Sequence, residues 1–264
     1  MLQIKDLHKT FNPNTINEKK AIRNLNLTLY EGDFVTVIGG NGAGKSTMLN
    51  LIAGVYPPDC GEIILDGRLI SKEKEYKRAK YLGRVFQDPM LGTAANMQIE
   101  ENLAMAYRRG KKRGLRWGIT AKEKKLFCEK LKALDLGLEE RLSTKVGLLS
   151  GGQRQALTLL MATLQVPDLL LLDEHTAALD PKTAKKVLEL TERIIEREGL
   201  TALMITHNMR DAVAYGNRLI MMHEGRVIYD VRGDEKKSLK VSDLLEKFEE
   251  AAGEEFTNDR MILS

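Results

Sequence analysis

The run Phe34-Val35-Thr36-Val37-Ile38 is apolar almost throughout and feeds straight into Gly39-Gly40-Asn41-Gly42-Ala43-Gly44-Lys45-Ser46-Thr47. A strand buried on both faces reads this way, because a covered parallel sheet leaves no room for polar alternation. The glycines let successive backbone N–H groups turn inward around phosphates, and a helix predicted over Ser46 to Ala53 adds the positive end of its dipole. Gly39 to Ser46 fits G-x-x-x-x-G-K-[ST] at every position, which assigns Lys45 to the β- and γ-phosphates and the Ser46 hydroxyl to Mg²⁺. By itself this unit says only that a nucleoside triphosphate binds.

The remaining chain reads as α/β. Ile4, Leu7, Leu25, Leu27 and Leu29 lie in short alternating patterns that predict strands before the loop. Gly54 and Pro57-Pro58 close the first helix, and Ile63-Ile64-Leu65 and Arg84-Val85-Phe86-Gln87 read as further strands. From about Pro89 to Leu164 the pattern turns helical, which predicts an inserted helical subdomain over residues 89–165. Strands resume at Leu169 to Leu172 and Ala202 to Thr206 around a helix from Pro181 to Glu198, the alternation of a parallel sheet. Arg218 to His223 and Arg226 to Tyr229 predict a hairpin. Residues 1–232 are expected to form one nucleoside-triphosphate-binding domain, and 233–264 a charged, partly helical extension.

Several polar residues fall where this organisation leaves strand ends. Leu169-Leu170-Leu171-Leu172 runs into Asp173-Glu174, and burial of the strand does not explain two adjacent acids at its end. Asp173 is suited to hold Mg²⁺ through water and Glu174 to polarise an attacking water. His207 stands at the end of a predicted strand, where the ligand crevices of such sheets lie, and Gln87 ends another, where on sequence alone it is any polar strand-end residue. Leu149-Ser150-Gly151-Gly152-Gln153-Arg154-Gln155 is a Ser-Gly-Gly turn opening a helix, and it supplies a second phosphate-binding surface. One ATP cannot easily use both surfaces within one chain, so the pair implies two chains sharing two nucleotides.

These segments together resemble the nucleotide-binding subunit of ATP-binding cassette (ABC) transporters. The expected fold is a P-loop NTPase core with a mainly parallel sheet, an antiparallel N-terminal β part and an inserted helical subdomain. The Leu-Ser-Gly-Gly-Gln turn is the specific element, since phosphate-loop kinases and GTPases lack it. The resemblance implies ATP and Mg²⁺ as cofactors, with Gly39 to Thr47 and Ser150 to Gln153 binding nucleotide and Ser46, Gln87 and Asp173 serving the metal. It also implies Glu174, His207 and Gln87 in hydrolysis, His207 as a γ-phosphate switch, and a head-to-tail dimer in which Ala177-Ala178-Leu179-Asp180 crosses the interface. Two readings of Phe11 stand: stacking on adenine, or a core aromatic. His175 departs from the family's usual proline, and is either a modulator of the Glu174 backbone or a neutral loop substitution; Gly40 replaces a frequent proline.

The implied partners are transmembrane permease subunits, a second ATPase subunit and, through the complex, an extracytoplasmic solute-binding protein. The implied place is the cytoplasmic face of the membrane. An importer is favoured because the cassette stands alone, with an exporter as the alternative and, behind it, a soluble cassette ATPase acting on nucleic acid or ribosomes. Asp173 to Pro181 with Gly114-Leu115-Arg116-Trp117-Gly118 looks like importer cassettes associated with aromatic amino acids and related solutes.

Composition adds exclusions. A net charge of +4 over 264 residues names no partner, and the two cysteines, Cys60 and Cys128, have no metal or disulfide spacing. The first residues show no apolar signal segment, and no run approaches the ~20 apolar residues of a membrane span. Six cations fall between Arg108 and Arg116. With Trp117 as the one interleaved aromatic, this segment reads as a solvated loop or a contact with anionic lipid rather than a nucleic-acid patch. No nucleic-acid partner is expected, and the lack of a sustained heptad argues against the coiled-coil DNA-repair members.

Overall fold

The computed structural model describes residues 1–111 and 118–252. Lys112 to Trp117, the centre of the basic segment, and residues 253–264 lie outside the described residues. The chain forms two compact units, Met1–Arg78 with Gly199–Ser264, and Ala79–Glu198. Up to Arg78 the elements are β1 (Leu2–Phe11), β2 (Lys19–Leu29), β3 (Phe34–Ile38), α1 (Lys45–Ala53), β4 (Cys60–Leu65), β5 (Arg68–Leu69) and α2 (Glu75–Arg78). The second unit holds β6 (Leu82–Val85), α3 (Ile99–Tyr107), α4 (Ala121–Lys132), α5 (Gly151–Thr163), β7 (Leu169–Asp173) and α6 (Pro181–Glu198), with 3₁₀ turns at Leu138–Glu140 and Val146–Leu148. The first unit then resumes with β8 (Ala202–Ile205), α7 (Met209–Ala214), β9 (Arg218–His223), β10 (Arg226–Arg232), α8 (Gly233–Ser238) and α9 (Val241–Ala252).

In the first unit β2, β1, β4 and β5 make an antiparallel sheet, and β10, β9, β3 and β8 lie side by side in a second. All five residues of β3 are buried. It runs parallel to β8 on one side and β9 on the other, so Phe34 faces Ala202 and Ile38 faces Met221. That flanking explains the apolar run: neither edge nor face of β3 meets water. Arg218 ties the two sheets together, with Nη1 donating to Thr28 O (2.6 Å) on β2 and Nε and Nη2 forking onto the Asp230 carboxylate of β10 (2.8 and 2.6 Å).

The charged tail is packed rather than merely appended. Leu244 and Phe248, four residues apart on α9, are fully buried against Ile38, Met209, Ala212 and Leu219. Lys236, 2% exposed, donates to the carbonyls of Val213 (3.0 Å), Tyr215 (2.5 Å) and Gly216 (2.8 Å) where α7 ends. A lysine there satisfies carbonyls that the helix leaves without partners.

Arg78 does the same for α1. Its guanidinium is 1% exposed and donates to Leu51 O (2.7 Å), Ile52 O (2.8 Å), Ser71 O (2.9 Å) and Glu73 O (2.9 Å). Arg78→Met should therefore lower the unfolding free energy by about 3 kcal/mol, because buried acceptors lose their donors. A urea titration reads this as a lower midpoint at unchanged slope, and an unmoved midpoint would contradict it.

The second unit is helical apart from the parallel pair β6 and β7, which match Leu82 to Leu169 and Val85 to Leu172, and an isolated bridge between Gln98 and Lys145. Helices α3, α4 and α5 occupy the stretch that the sequence marks as helical. Each begins in a capping box, at Gln98 and Glu101, Thr120 and Glu123, and Ser150 and Gln153. Several strand ends differ from expectation: β8 stops at Ile205 rather than Thr206, and β10 runs on to Arg232 rather than Tyr229. Strand β6 ends at Val85, not at Gln87, and the Phe86 carbonyl instead accepts from Gln155 Nε2 (3.2 Å) on α5.

Candidate nucleotide site

The phosphate loop starts where β3 ends. Lys45, 5% exposed, donates from Nζ to Gly39 O (2.6 Å) and Gly40 O (3.1 Å), which holds the ammonium over the loop. Gly44 caps α1 with φ 99° and offers no side-chain cap, and the first turn carries no acid. The N–H groups of that turn thus keep their capacity for an external anion. A Cβ on Gly44 would stand 2.6 Å from the Ala21 carbonyl, so only glycine fits. Asn41, Gly42 and Ser46 are exposed, whereas Gly39, Gly40 and Ala43 are buried.

In the same unit His207 follows β8 by two residues. Thr206 N donates to Val37 O (3.1 Å), and Asn208 caps α7 through Arg210 N (2.9 Å), which fixes the chain on both sides of the histidine. Strands β3 and β8 are parallel neighbours, so His207 and the phosphate loop leave the same end of one sheet. Phe11, opposite Lys19 at the end of β1, meets Tyr56 edge to face at 5.2 Å. Its ring is half-buried and keeps part of its surface exposed.

The second unit gathers the other candidates. Asp173 ends β7, and its carboxylate stands 3.8 Å from Arg84 on the paired strand β6. Glu174 follows at φ 47°, in the left-handed region that a glutamate rarely enters, and its carbonyl accepts from Ala177 N (3.0 Å). Asp180 begins α6: its carboxylate accepts from Thr183 N (3.1 Å), and the Thr183 hydrogen bonds hold this acid below its ordinary range. Gln87 is exposed in a bend two residues past β6.

The Ser-Gly-Gly turn opens α5 as the sequence predicts. Ser150 Oγ accepts from Gln153 N (3.3 Å), and Gln153 Oε1 accepts from Ser150 N (3.2 Å). Accepting uses a lone pair and leaves the serine O–H as a donor. Ser150 and Gly151 are exposed, while Gly152 is buried, and a Cβ on it would overlap Thr183 Cγ2 of α6. The exposed face of this turn can receive an anion.

His175 lies in the turn after β7, as the loop reading has it, but its side chain is buried. It is 2% exposed, and its Nε2 lies 3.0 Å from Thr191 Oγ1 on α6. Burial pushes its pKa down to about 4, so the imidazole is neutral at physiological pH.

Tyr56 and Lys19 stand near the loop and Phe11 without a sequence signal, while Arg84 and Gln155 fall in predicted segments that give them no role of their own. Gln155 is buried beside the signature, and Lys19 Nζ lies 3.3 Å from where a Cβ on Gly42 would stand. No motif marks these residues; Gln155 alone has a signal, its place beside the Ser-Gly-Gly turn. The candidate metal donors, Ser46 hydroxyl, Gln87 amide and Asp173 carboxylate, are hard oxygens of the kind Mg²⁺ takes. Among the described residues no three His, Cys, Asp or Glu side chains gather as a metal site. An ion held by one carboxylate would complete its shell with phosphate oxygens and water, the usual habit of Mg²⁺.

A strand–loop–helix phosphate site and a Ser-Gly-Gly helix start in one α/β chain define an ATP-binding cassette, and the chain belongs to the ABC transporter family, whose model matches residues 22–177. It binds and hydrolyses ATP as the ATPase subunit of such a transporter. A tyrosine transport ATP-binding protein of Clostridioides difficile (strain R20291) is 48% identical over 252 residues, 95% of this chain and 100% of that one. The xylose/arabinose import ATP-binding protein XylG of Sulfolobus acidocaldarius is 31% identical over 94% of each chain. A dimeric structure of the cassette MJ0796 in a post-hydrolysis state, bound to ADP and Pi, superposes with a TM-score of 0.75 at 31% identity, covering 88% of this chain and 98% of that one. Among the described residues no helix is long and apolar enough to cross a membrane.

Proposed function

We propose that this chain powers the import of a small solute, of amino-acid type, through separate permease subunits at the cytoplasmic face of the membrane. Two copies bind two ATP molecules head to tail, each nucleotide between Gly39 to Thr47 of one copy and Ser150 to Gln153 of the other. The observation that carries this reading is the second anion-ready surface: an exposed Ser150-Gly151 turn on a helix start other than the one that follows the phosphate loop. A relative named for tyrosine transport, another named for sugar import and a cassette dimer with ADP and Pi support it. An extracytoplasmic binding protein delivers the solute in this scheme.

The residues divide the work. Lys45 and the loop N–H groups bind the β- and γ-phosphates, and Phe11 stacks on adenine. Ser46, Gln87 and Asp173 would hold Mg²⁺, which would supply charge neutralisation at the phosphates. Glu174 takes a proton from the attacking water, and His207 contacts the γ-phosphate. Contacts on two faces of the γ-phosphate favour the closed pair, and their loss after hydrolysis releases it.

Ser150→Arg tests the shared site. The bulky cation should block closure, so turnover falls at least ~10-fold while the single chain still binds ATP. Turnover at the parent rate would rule out a role for Ser150 in trans. The solute is testable separately, by purifying the native complex and identifying what it carries; a complex that takes up no amino acid would remove that part of the reading.

A further inference from the structure

We infer that His175 is a positioning residue for hydrolysis: its buried imidazole ties the left-handed turn that presents Glu174 to helix α6 through Thr191. The inference rests on Glu174 acting as the base, and adds what holds that base in place.

Glu174 sits at φ 47°, a conformation that a non-glycine residue keeps only where its surroundings over-determine it. Two backbone bonds, Ala177 N to Glu174 O (3.0 Å) and Leu179 N to Thr176 O (3.1 Å), curl the segment that follows. Neither anchors the turn to the rest of the unit. His175 does. Its ring is enclosed, and Nε2 lies 3.0 Å from Thr191 Oγ1, sixteen residues on. The Thr191 hydroxyl spends its single proton on Val187 O (2.8 Å), so its oxygen accepts and His175 donates from Nε2.

This bond fixes the ring at one nitrogen and so fixes the Cα next to Glu174. Helix α6 is itself pinned at its start by the Asp180 cap to Thr183 N (3.1 Å). The segment from Glu174 to the helix is therefore closed at both ends. An apolar side chain would fill the same space without burying a polar N–H, so packing alone gives no reason for an imidazole. A directional tether does.

The test measures kcat and the ATP dissociation constant separately on the full chain, in His175→Leu, His175→Gln, Thr191→Val and Thr191→Ser. Leucine and valine abolish the bond and should lower kcat by ~10–100-fold, the scale of an ångström-level misplacement. Their ATP dissociation constants should stay within about two-fold of the parent. Glutamine, whose Nε2 can reach the same oxygen, and serine, which keeps the hydroxyl, should retain most of the turnover. The double variant His175→Leu/Thr191→Val should be no worse than either single one. Parent-like kcat in both His175→Leu and Thr191→Val, or glutamine falling as low as leucine, would overturn the assignment. If His175→Leu fails to fold, Thr191→Val against Thr191→Ser decides, since valine has nearly the shape of threonine. Glu174→Gln measured alongside separates the two layers. Full turnover there removes the base and this role with it, whereas its loss beside unaffected tether variants removes the tether alone.

Discussion

Glu174→Gln is expected to slow ATP turnover by ~10²–10⁴-fold while nucleotide binding persists. The amide has the shape of the carboxylate and accepts the same backbone turn, but it cannot take a proton from water. Phosphate contacts are then made and never released, so the variant should accumulate as a dimer with ATP. Single-turnover hydrolysis and analytical ultracentrifugation read the two effects independently. A variant that stays monomeric with ATP at high protein concentration would break the shared-site scheme even if its hydrolysis were lost.

Lys45→Ala should abolish nucleotide binding. The ammonium is 5% exposed and held by Gly39 O (2.6 Å) and Gly40 O (3.1 Å), so it waits at the loop with little freedom to lose when phosphates arrive. Charge-assisted bonds to phosphate are the strong ones, and no other cation stands inside the loop's own sequence. Thermal unfolding with and without ATP gives the measurement. The parent protein gains roughly 2.7 kcal/mol at a ligand concentration 100 times the dissociation constant, and the variant should gain nothing. An undiminished thermal shift would take the phosphate loop out of the account.

The features legible in the sequence are those set by local chemistry. The apolar run of β3, the glycines after it, the Ser-Gly-Gly turn that opens a helix and the helix start at Pro181 each announce themselves within a few residues. Helix α6 spans Pro181–Glu198, as the pattern predicts. What stayed hidden depends on partners far along the chain. His175 reads as a loop residue because nothing nearby says that Thr191 will meet it. Lys236 and Phe248 read as parts of a charged tail because their burial is decided by the end of α7 and by β3 and β9. The end of β6 is hidden for the same reason, since the donor to Phe86 O comes from Gln155, 69 residues on. Arg78 belongs with these: a lone arginine in a short helix gives no hint that it closes the C-terminus of α1.

The hydroxyl of Ser150 sets a double filter on what evolution can place there. Its oxygen starts a helix by accepting from Gln153 N, and its O–H keeps the capacity to donate, so two unrelated demands meet on one group. Aspartate and asparagine would start the helix equally well. Aspartate, however, brings a negative charge to the turn proposed to meet phosphate, and asparagine adds bulk where that turn would lie close to its guest. The residues admissible at this position shrink to the small hydroxyl side chains, without any need for the surrounding sequence to vary slowly.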